Sequence, residues 1–526
     1  MAESPSPHRA SPTGTAAARP PETGDAPGLP ALWARRWAQD PGAPTVVVRS
    51  TGRTCPAAEL EERTRVTAAR LHTAGLGPGN RMLWSTRTSL DAVVACLGAL
   101  RLGAVVVPVN PAYTERELAH IVGDVRPTLA VVERPEQADW VHRAGGGAVG
   151  TLPVDPSAPP WGPTGSPRAR SDAPTLDAAS GAAPALIVYT SGTTGSPKGA
   201  VLTHANLAAG VESLREAWRW KPTDRLVLAL PLFHVHGLCA GLFGALGTGS
   251  SVVLLEHFDA GVVLAEAGSG SSLFFGVPTM YHRLVGAAGA DALSGLRLCV
   301  SGSAPLPPTL WREARRRAGV AILERYGMTE TLLTLSNPYE GERRPGTVGF
   351  PLPGVQARLG ADGPPRPAGP PRPRESPAGE GELLVRGPTV FAGYWERPAE
   401  TAACLEGDWF YTGDLVSADD DGYLSVRGRC KELIISGGFN VYPTEVEDVL
   451  LQHPGVAEAA VTGIPSEEWG ETVTAWVVPS VEGLAVDDVL AFAASRLAPF
   501  KRPRSVRVVE TLPRNTLGKI QRGELR

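Results

Sequence analysis

Hydrophobic and polar positions along the first part of the chain follow two alternating periods. In 29–132, helical patterns at 57–74 and 114–125 alternate with short apolar runs such as 46–48 and 104–109. Apolar residues spaced three or four positions apart predict helices with one buried face, and short valine-rich runs predict buried strands. Strands that alternate with helices predict an α/β layered domain.

The same alternation continues further along the chain. Apolar runs predict buried strands at 183–189, 225–230, 251–255, 272–276 and 296–301. We therefore expect a large multi-layer N-terminal domain of sheets and helices, which spans 29–430.

The pattern changes after residue 430. Short strands are predicted at 433–435, 458–462 and 473–478, and helices at 443–453 and 486–498. About a hundred residues are enough for a small domain, so a small mobile α+β C-terminal domain is predicted over 431–526. Residues 1–28 are rich in Pro, Ala, Ser and Thr, lack an apolar core and are predicted to be a disordered extension.

The composition narrows the class of protein. The 526 residues carry 50 basic and 54 acidic side chains, a net charge of −4, and 43% of them are hydrophobic. This balance gives no reason to expect nucleic-acid binding and supplies enough apolar material for large cores. The apolar stretch 237–255 is interrupted by Gly, Thr and Ser, so we expect no integral membrane association.

The cysteines and the N-terminus indicate the compartment. The 6 cysteines form no CxxC pair and no metal-ligand spacing, which argues against a disulfide framework and structural zinc. The first residues contain no secretory signal, and their acidic side chains fit a transit peptide poorly. We therefore expect a cytoplasmic protein.

Lysine is rare in this chain, and three of the lysines stand at informative places. Lys198 lies in a Gly/Thr-rich segment, Lys431 where the second domain begins, and Lys519 in a Gly-Lys turn near the C-terminus. A compact ammonium group on a flexible stem suits phosphate and carboxylate oxygens. The alternative is three solvated lysines in turns.

A loop of sequence YTSGTTGSPKG at 189–199 follows the strand predicted at 183–189. Glycines leave backbone N–H groups free to face an anion, hydroxyls add donors, and Lys198 adds positive charge. The spacing of Gly195 and Lys198 does not match a Walker loop. The pattern predicts a phosphate-binding loop, with a flexible linker as the alternative.

This loop resembles the phosphate-binding signature of the adenylate-forming superfamily, which holds acyl-CoA synthetases, nonribosomal adenylation domains and firefly-type luciferases. Further segments resemble that family's signatures in the family's order: GSAP at 302–305, YGMTE at 326–330, YTGD at 411–414, GRCKE at 428–432, GGFNVYPTE at 437–445 and PRNTLGK at 513–519. The resemblance extends from about residue 29 to the end of the chain and implies the adenylating-enzyme fold.

The resemblance also implies how ATP is bound. Tyr326 would supply a flat face for the purine, Thr329 a hydroxyl for the α-phosphate, and Glu330 a carboxylate for the Mg²⁺ that accompanies the triphosphate. Asp414 would accept from the ribose hydroxyls, with Arg429 as a second contact. Without the resemblance, Thr-Glu reads as a helix N-cap pair and Asp414 as a turn residue. The other implied nucleotide contacts are Thr190, Ser191, Gly192, Thr193, Thr194, Gly195, Lys198, Ser303, Ala304 and Pro305.

The family's reaction has two steps. A carboxylate does not react directly with a thiol because its oxygen is a poor leaving group, so the acid first attacks the α-phosphorus of ATP and the resulting acyl adenylate then reacts with coenzyme A. Lys519 matches the family lysine that touches both the substrate carboxylate and the phosphate. Lys431 matches the hinge of the rotating C-terminal domain, and Gly437 and Gly438 match the loop at the thiol tunnel.

Two segments indicate which acid is used. The segments at 231–238 (PLFHVHGL) and 276–283 (GVPTMYHR) follow predicted strands, at the edge where open α/β sheets bind ligands. Together with RLCVSGS at 297–303 and YGMTETLLTLSNP at 326–338, they resemble malonyl-CoA and methylmalonyl-CoA synthetases more closely than other members of the superfamily. Our hypothesis is that Arg283 pairs with the distal carboxylate of the substrate, helped by His234, while Ser303 lines the pocket. The alternative for Arg283 is a surface charge, and weaker candidates are His236, His282 and Arg297.

Other functions remain open at this point. A generic short- or medium-chain acyl-CoA synthetase and a free-standing adenylation enzyme that loads a carrier protein share these motifs, although we expect no fused carrier domain so soon after Lys519. A nucleotide-binding regulator without turnover is disfavoured because Lys519, Glu330 and Asp414 are all present, and luciferase chemistry differs only in substrate. Malonate and methylmalonate are not separable, because one methyl group changes discrimination by only about 1–3 kcal/mol.

Overall fold

The computed structural model describes residues 26–153, 173–190, 197–360, 379–430, 432–436, 439–466, 469–515 and 518–525. The helices are α1 (Leu29–Gln39), α2 (Ala57–Thr73), α3 (Leu90–Arg101), α4 (Glu115–Val125), α5 (Pro135–Ala144), α6 (His204–Ala217), α7 (Gly244–Thr248), α8 (Ala260–Gly268), α9 (Pro278–Gly286), α10 (Pro308–Ala318), α11 (Pro398–Ala402), α12 (Pro443–Leu450) and α13 (Val486–Ala494). A π-helix covers His236–Phe243 and short 3₁₀ turns cover Ala290–Gly295, Pro499–Lys501 and Arg522–Glu524.

The strands are β1 (Pro44–Val48), β2 (Arg53–Pro56), β3 (Arg81–Ser85), β4 (Val105–Pro108), β5 (Leu129–Val132), β6 (Gly150–Pro153), β7 (Pro184–Thr190), β8 (Lys198–Thr203), β9 (Arg225–Leu228), β10 (Ser251–Leu254), β11 (Leu273–Gly276), β12 (Leu298–Ser301), β13 (Leu323–Met328), β14 (Leu332–Ser336), β15 (Phe350–Pro351), β16 (Gln356–Gly360), β17 (Glu380–Arg386), β18 (Gly393–Tyr394), β19 (Leu405–Glu406), β20 (Trp409–Ala418), β21 (Leu424–Arg429), β22 (Ile434–Ser436), β23 (Phe439–Val441), β24 (Val456–Ser466), β25 (Gly470–Pro479) and β26 (Ser505–Val508).

Two large sheets with parallel centres form most of the N-terminal region. Their strand orders are β15-β14-β13-β12-β11-β9-β10-β1-β2 and β18-β8-β7-β4-β3-β5-β6. Helix α3 is buried along its whole length and contributes to a core that includes residues of both sheets. Because valine and leucine dominate these central strands, both faces of each sheet can be covered without leaving polar side chains unpaired.

Local sequence signals explain where the helix after the phosphate loop begins. The hydroxyl of Thr203 accepts from the backbone N–H of Asn206 (3.1 Å), and the amide oxygen of Asn206 accepts from the N–H of Thr203 (2.9 Å). This reciprocal cap satisfies two backbone donors that a helix start leaves free. Strand β8 lies between the loop and this helix, so the loop belongs to a hairpin of β7 and β8.

Two smaller sheets complete the structure. One has the order β16-β17-β20-β19 with β21 beside β20, and the other has the order β23-β22-β25-β24 with β26 beside β25. The second sheet packs with α12 and α13 around a core of its own. This confirms the predicted α/β fold with a large N-terminal domain and a small α+β C-terminal domain. The exact boundary at 430/431 and the mobility of the small domain stay predictions.

The stretch 237–255, the most apolar in the sequence, is divided among several elements. It contains most of the π-helix, then α7, then β10, with Gly249 in a left-handed turn between the last two. Within the described ranges, no helix combines the length and the apolar character that crossing a membrane requires.

His204, the first residue of α6, leads to a prediction about stability. Its ring is fully buried, neither ring nitrogen has a hydrogen-bond partner, and burial lowers its pKa to about 4. An unfolded chain protonates this histidine below about pH 6.5, whereas the folded protein excludes the proton until much lower pH. The free energy of unfolding therefore falls as the pH drops from about 7.5 to 5.5, by about 1.4 kcal/mol from this group.

Between these two pH values, the free energy of unfolding of His204→Leu should fall by about 1.4 kcal/mol less than that of the wild type. Urea denaturation of the wild type and the variant at both values measures this double difference. The matched control is His142→Leu, because His142 is exposed. An identical pH dependence in the wild type and His204→Leu contradicts the prediction.

Candidate active site

The strands that flank the predicted phosphate loop are paired at its base. β7 ends at Thr190, β8 begins at Lys198, and these two residues face each other in the antiparallel register. Below the loop, the hydroxyl of Tyr189 donates to Asp124, and Nε2 of His120 lies 3.0 Å from the carbonyl oxygen of Pro197. The predicted contacts of the loop itself fall outside the described residues and stay predictions for Ser191, Gly192, Thr193, Thr194 and Gly195.

Glu330 and Lys198 contact the same tyrosine. The side chain of Glu330 is buried, its Oε1 accepts a hydrogen bond of 2.9 Å from the hydroxyl of Tyr394, and the ammonium of Lys198 lies 5.3 Å from the centroid of the Tyr394 ring. Burial raises the pKa of Glu330, and the hydrogen bond from Tyr394 opposes this rise. Thr329 precedes Glu330 in the turn between β13 and β14 and is half-buried. The structure thus brings the groups predicted to face the triphosphate close together.

The residues assigned to the nucleoside come from two sheets and meet at Asp414. The hydroxyl of Tyr326 donates to Oδ2 of Asp414, and Nε of Arg429 lies 2.7 Å from Oδ1. The pairing of β20 with β21 sets Asp414 directly opposite Arg429. Burial raises the pKa of Asp414, and the Arg429 guanidinium opposes this rise. A buried carboxylate oriented from both sides is suited to accept from a pair of hydroxyls.

The segment after β12 turns sharply at Ser303. Its φ is +68°, a left-handed conformation that is uncommon outside glycine. The turn places Oγ of Ser303 3.1 Å from Nδ1 of His236. A Cβ atom on the preceding Gly302 would lie 2.4 Å from Cζ of Arg325, so a larger residue here would displace the guanidinium. The next residues of the predicted nucleotide contact, Ala304 and Pro305, lie in the same loop.

Buried polar atoms without a protein partner cluster at this turn. Within the described residues they include Nε2 of His234, Nε2 of His236, and both Nε and Nη2 of Arg325. Arg325 is 5% exposed, and burial lowers its pKa to about 9, so it stays charged at neutral pH. Burial lowers the pKa of His234 to about 4 and that of His236 well below its ordinary range, so both rings are neutral. A buried guanidinium without a counterion is unfavourable, and the cluster is therefore suited to an anionic ligand.

His236 owes its position to an irregular helix. It begins the π-helix, a conformation that occurs mostly as short segments and often at functional sites. The imidazole stacks on Phe275 of β11, with the ring centroids 6.5 Å apart. Gly237 permits the tight approach, because a Cβ there would lie 2.3 Å from the carbonyl oxygen of Pro231.

Arg283, assigned by hypothesis to the distal carboxylate, lies on the exposed side of a helix, and its assignment stays a prediction. It is exposed on α9, as is His282, whereas Tyr281 and Leu284 form the buried side of that helix. The hydroxyl of Tyr281 donates to the carbonyl oxygen of Val300 (2.9 Å) and fixes the orientation of the helix. Arg283 lies two residues further along, about 200° around the helix from Tyr281, and its side chain is exposed.

Arg297 is also committed elsewhere. Its Nε lies 2.7 Å from Oδ1 of Asp224, and its Nη1 donates to the carbonyl oxygen of Trp218. Because it stands just before β12, it lies at the opposite end of that strand from Ser303. Arg297 therefore has a structural role at the amino ends of the parallel strands.

Lys519 lies in a tight turn that docks on the large domain. Its N–H donates to the side chain of Asn515 (2.9 Å), and Gly518 has a φ of +79°. A Cβ on Gly518 would lie 3.6 Å from Cγ2 of Thr279, at the start of α9. Lys519 keeps solvent access, yet partial desolvation lowers its pKa, Arg429 lowers it further, and Asp414 opposes both. The predicted catalytic lysine therefore shares the electrostatic surroundings of the nucleoside residues.

Three residues of the predicted C-terminal machinery lie outside the described residues. The hinge assigned to Lys431 and the thiol-tunnel contact assigned to Gly437 and Gly438 therefore stay predictions. Next to Lys431 in the sequence, the N–H of Glu432 donates to the carbonyl oxygen of Arg429.

The residues around Glu330 fit the Mg²⁺ that the resemblance implies. Mg²⁺ prefers one or two carboxylates, waters and the phosphates of the substrate to a cage made only of protein ligands. Among the residues that can be described, no group of three or more His, Cys, Asp or Glu side chains forms such a cage. A single carboxylate oriented by Tyr394, which also contacts Lys198, matches the preference of Mg²⁺.

Comparison with known proteins agrees with this geometry. The model of the AMP-binding enzyme family matches residues 33–395, and that of the AMP-binding enzyme C-terminal domain matches residues 445–519. The chain therefore belongs to the AMP-binding enzymes of the adenylate-forming superfamily.

Curated relatives identify the class more narrowly. The mitochondrial malonate–CoA ligase ACSF3 of Mus musculus is 38% identical over 85% of this chain and 81% of its own length. Feruloyl-CoA synthase of Amycolatopsis sp is 37% identical over 95% of this chain and 98% of its length. Sulfoacetate–CoA ligase of Cupriavidus necator is 35% identical over 94% and 97%. The chain is an AMP-forming CoA ligase of this family.

Solved structures match the whole arrangement. ATP-bound MatB from Rhodopseudomonas palustris superposes with a TM-score of 0.86 at 37% identity, over 94% of this chain and 98% of that chain. A malonyl-CoA ligase in a ternary product complex with methylmalonyl-CoA and AMP gives a TM-score of 0.63 at 40% identity, over 94% and 100%. The chain is thus closer in overall arrangement to the ATP-bound structure than to the product complex.

Proposed function

We propose that this CoA ligase adenylates a small dicarboxylate, malonate or methylmalonate, and transfers the acyl group to coenzyme A with release of AMP and pyrophosphate. ATP and coenzyme A are the co-substrates, and Mg²⁺ accompanies the triphosphate. The large domain, 29–430, holds ATP and the acid, and the small domain, 431–526, supplies Lys519.

The observation that carries the dicarboxylate is the buried guanidinium of Arg325. Its Nε and Nη2 atoms, which form one edge of the guanidinium, both lack a protein partner. A carboxylate can accept from this edge with both oxygens. Nε2 of His236 and of His234 are also without partners, and each can donate when its ring adopts the matching tautomer. A monocarboxylic acid would leave all of these groups unpaired.

The names of the relatives are compatible with more than one acid. Malonate and sulfoacetate each carry a second acidic group, whereas ferulate does not. Because relatives named for both kinds of acid are 35–38% identical to this chain, overall similarity does not separate them. The proposed substrate class therefore rests on Arg325, with Ser303 and His236 as its neighbours.

In the first step two anions must be brought together. The Lys519 ammonium is near Asp414 and Arg429, where it can neutralise charge between the substrate carboxylate and the α-phosphate. Tyr326, Asp414 and Arg429 would fix the nucleoside, which holds the α-phosphate in a defined orientation toward the substrate carboxylate. Bound Mg²⁺ supplies further charge neutralisation to the leaving pyrophosphate, and Glu330 is the residue that would hold it. Charges fixed before the reaction lower the barrier because they need no reorganisation.

In the second step the C-terminal domain would rotate about Lys431, withdraw Lys519 and present Gly437 and Gly438 to the thiol tunnel. The docking of Gly518 against Thr279 and the higher TM-score with an ATP-bound structure support assigning the arrangement described here to the first step. Domain rotation or product release can then limit turnover.

The test is thioester formation by the purified protein with Mg-ATP and coenzyme A. Malonate, methylmalonate, sulfoacetate, acetate, butyrate, octanoate and ferulate are compared at equal concentration. We expect turnover of malonate or methylmalonate and at least about 1,000-fold lower kcat/KM for acetate, because a monoacid leaves a buried charge unpaired. Equal turnover of monoacids or ferulate contradicts the dicarboxylate proposal. Diacid-dependent pyrophosphate release without thioester would indicate a carrier protein as the acceptor.

A further inference from the structure

Residues 391–395 connect the phosphate loop to Glu330 through the backbone. Tyr394 and Gly393 form β18 and pair with β8, the strand that leaves the loop, and the N–H of Trp395 donates to the carbonyl oxygen of Gly199 (2.8 Å). At the other end, the N–H of Phe391 donates to the carbonyl oxygen of Glu330 (2.8 Å). One short segment therefore touches both structures predicted to face the triphosphate.

The side chain of Tyr394 repeats this connection. Its hydroxyl donates to Oε1 of Glu330 over 2.9 Å, and the face of its ring lies 5.3 Å from the Lys198 ammonium. A hydrogen bond to a carboxylate is stronger than one between neutral groups, and an ammonium is attracted to the face of an aromatic ring. Because both contacts are made by the rigid phenol group of Tyr394, the position of the Glu330 carboxylate constrains that of the Lys198 ammonium.

Tyr394 is itself held in place. Its backbone N–H donates to the hydroxyl of Thr401 (2.9 Å), and its ring packs edge-to-face on Phe391, with the centroids 4.9 Å apart. Lys198 belongs to the seven-stranded sheet, whereas Glu330 follows a strand of the nine-stranded sheet. No strand pairing fixes the spacing between these two residues, and Tyr394 spans the gap.

We propose that Tyr394 is a positioning residue that sets the spacing between the Lys198 ammonium and the Glu330 carboxylate around the triphosphate of ATP. The inference rests on the proposed function, because it takes Mg-ATP as the ligand. Because the tyrosine hydroxyl occupies Oε1, the other carboxylate oxygen of Glu330 is the one that would be available to a cation.

The test compares Tyr394→Phe with Tyr423→Phe. Tyr423 is buried, and its hydroxyl donates to the carbonyl oxygen of Glu342 rather than to a residue of this site, so this control removes the same atom elsewhere. Titration calorimetry measures ATP affinity with Mg²⁺ and with EDTA. With Mg²⁺ present, we expect Tyr394→Phe to bind ATP about tenfold more weakly than the wild type, which is the usual effect of losing a hydrogen bond to a charged group. In EDTA, the two proteins should bind ATP equally well.

Kinetics and a double-mutant cycle separate positioning from a purely structural role. We expect Tyr394→Phe to raise the KM for ATP while the KM for the acid and the melting temperature match those of Tyr423→Phe. In a Glu330→Gln background, adding Tyr394→Phe should have little further effect on Mg-dependent affinity, because the two residues act as one unit. Additive effects, or a variant indistinguishable from the control, overturn the proposal. A wild type that does not bind Mg-ATP at all overturns the proposed function itself.

Discussion

Replacing Lys519 with alanine is expected to lower the rate of acyl-adenylate formation by about 100- to 1,000-fold, the usual effect of removing one fixed group that stabilises developing charge. Lys519 stands near Asp414 and Arg429, in a turn that docks against Thr279. The same substitution should leave the thioester step within about threefold of wild type, because the proposed rotation would withdraw the lysine before the thiol attacks.

Two assays separate the steps. Acid-dependent exchange of pyrophosphate into ATP measures adenylation, and thioester formation from a chemically prepared acyl adenylate measures the second step. Lys501→Ala is the matched control, since it removes a lysine of the same domain whose Nζ lies 2.6 Å from Glu445. Equal losses in both assays would assign Lys519 to folding or domain docking, and an unaffected exchange rate would remove it from the mechanism.

Much of the site could be predicted because the family's signatures are contiguous in sequence. Tyr326, Glu330, Asp414 and Arg429 each stand in a short motif, and the structure brings Tyr326 and Arg429 to Asp414. Their roles toward ATP stay predictions. The alternation of apolar periods predicted the central strands closely, because buried parallel strands are short and almost entirely aliphatic. Helix ends were less exact: the helix predicted at 443–453 ends at Leu450.

Arg325, which we propose to bind the acid, was not predicted from the sequence, because successive side chains of a strand point to opposite faces. Tyr326 belongs to a motif of the nucleotide site, and its neighbour Arg325 points to the other face of β13. The sequence did contain a signal for Arg325. It is a charged residue between Glu324 and Tyr326, in a strand that is otherwise expected to be buried. Arg283 was chosen because its segment follows a predicted strand and resembles the malonyl-CoA synthetases; it is exposed on α9, and its role stays a prediction. Tyr394 was missed because its two partners come from distant parts of the chain.

Replacing Arg325 with leucine is expected to lower kcat/KM for malonate by about 1,000-fold and to change kcat/KM for acetate by less than about threefold. The reason is that the guanidinium offers two unpaired donors on one edge inside a buried site, and leucine offers none. Thioester formation with both acids measures the change in selectivity. Arg283→Leu is the matched control: it removes the same charge from the exposed side of α9 and should keep the malonate preference of the wild type.

The same variant should not weaken the protein in the absence of substrate. A buried guanidinium without a counterion destabilises the folded state, so replacing it with an apolar side chain is expected to keep or raise the free energy of unfolding. Adding malonate should then raise the melting temperature of the wild type and of Arg283→Leu but not that of Arg325→Leu, because a ligand stabilises only a folded state that binds it. If Arg325→Leu were strongly destabilised, the guanidinium would have protein partners and a structural role. If Arg283→Leu lost the preference instead, the distal carboxylate would bind at α9. If Arg325→Leu loses malonate selectivity and keeps or gains free energy of unfolding, the guanidinium serves substrate binding and not the stability of the fold.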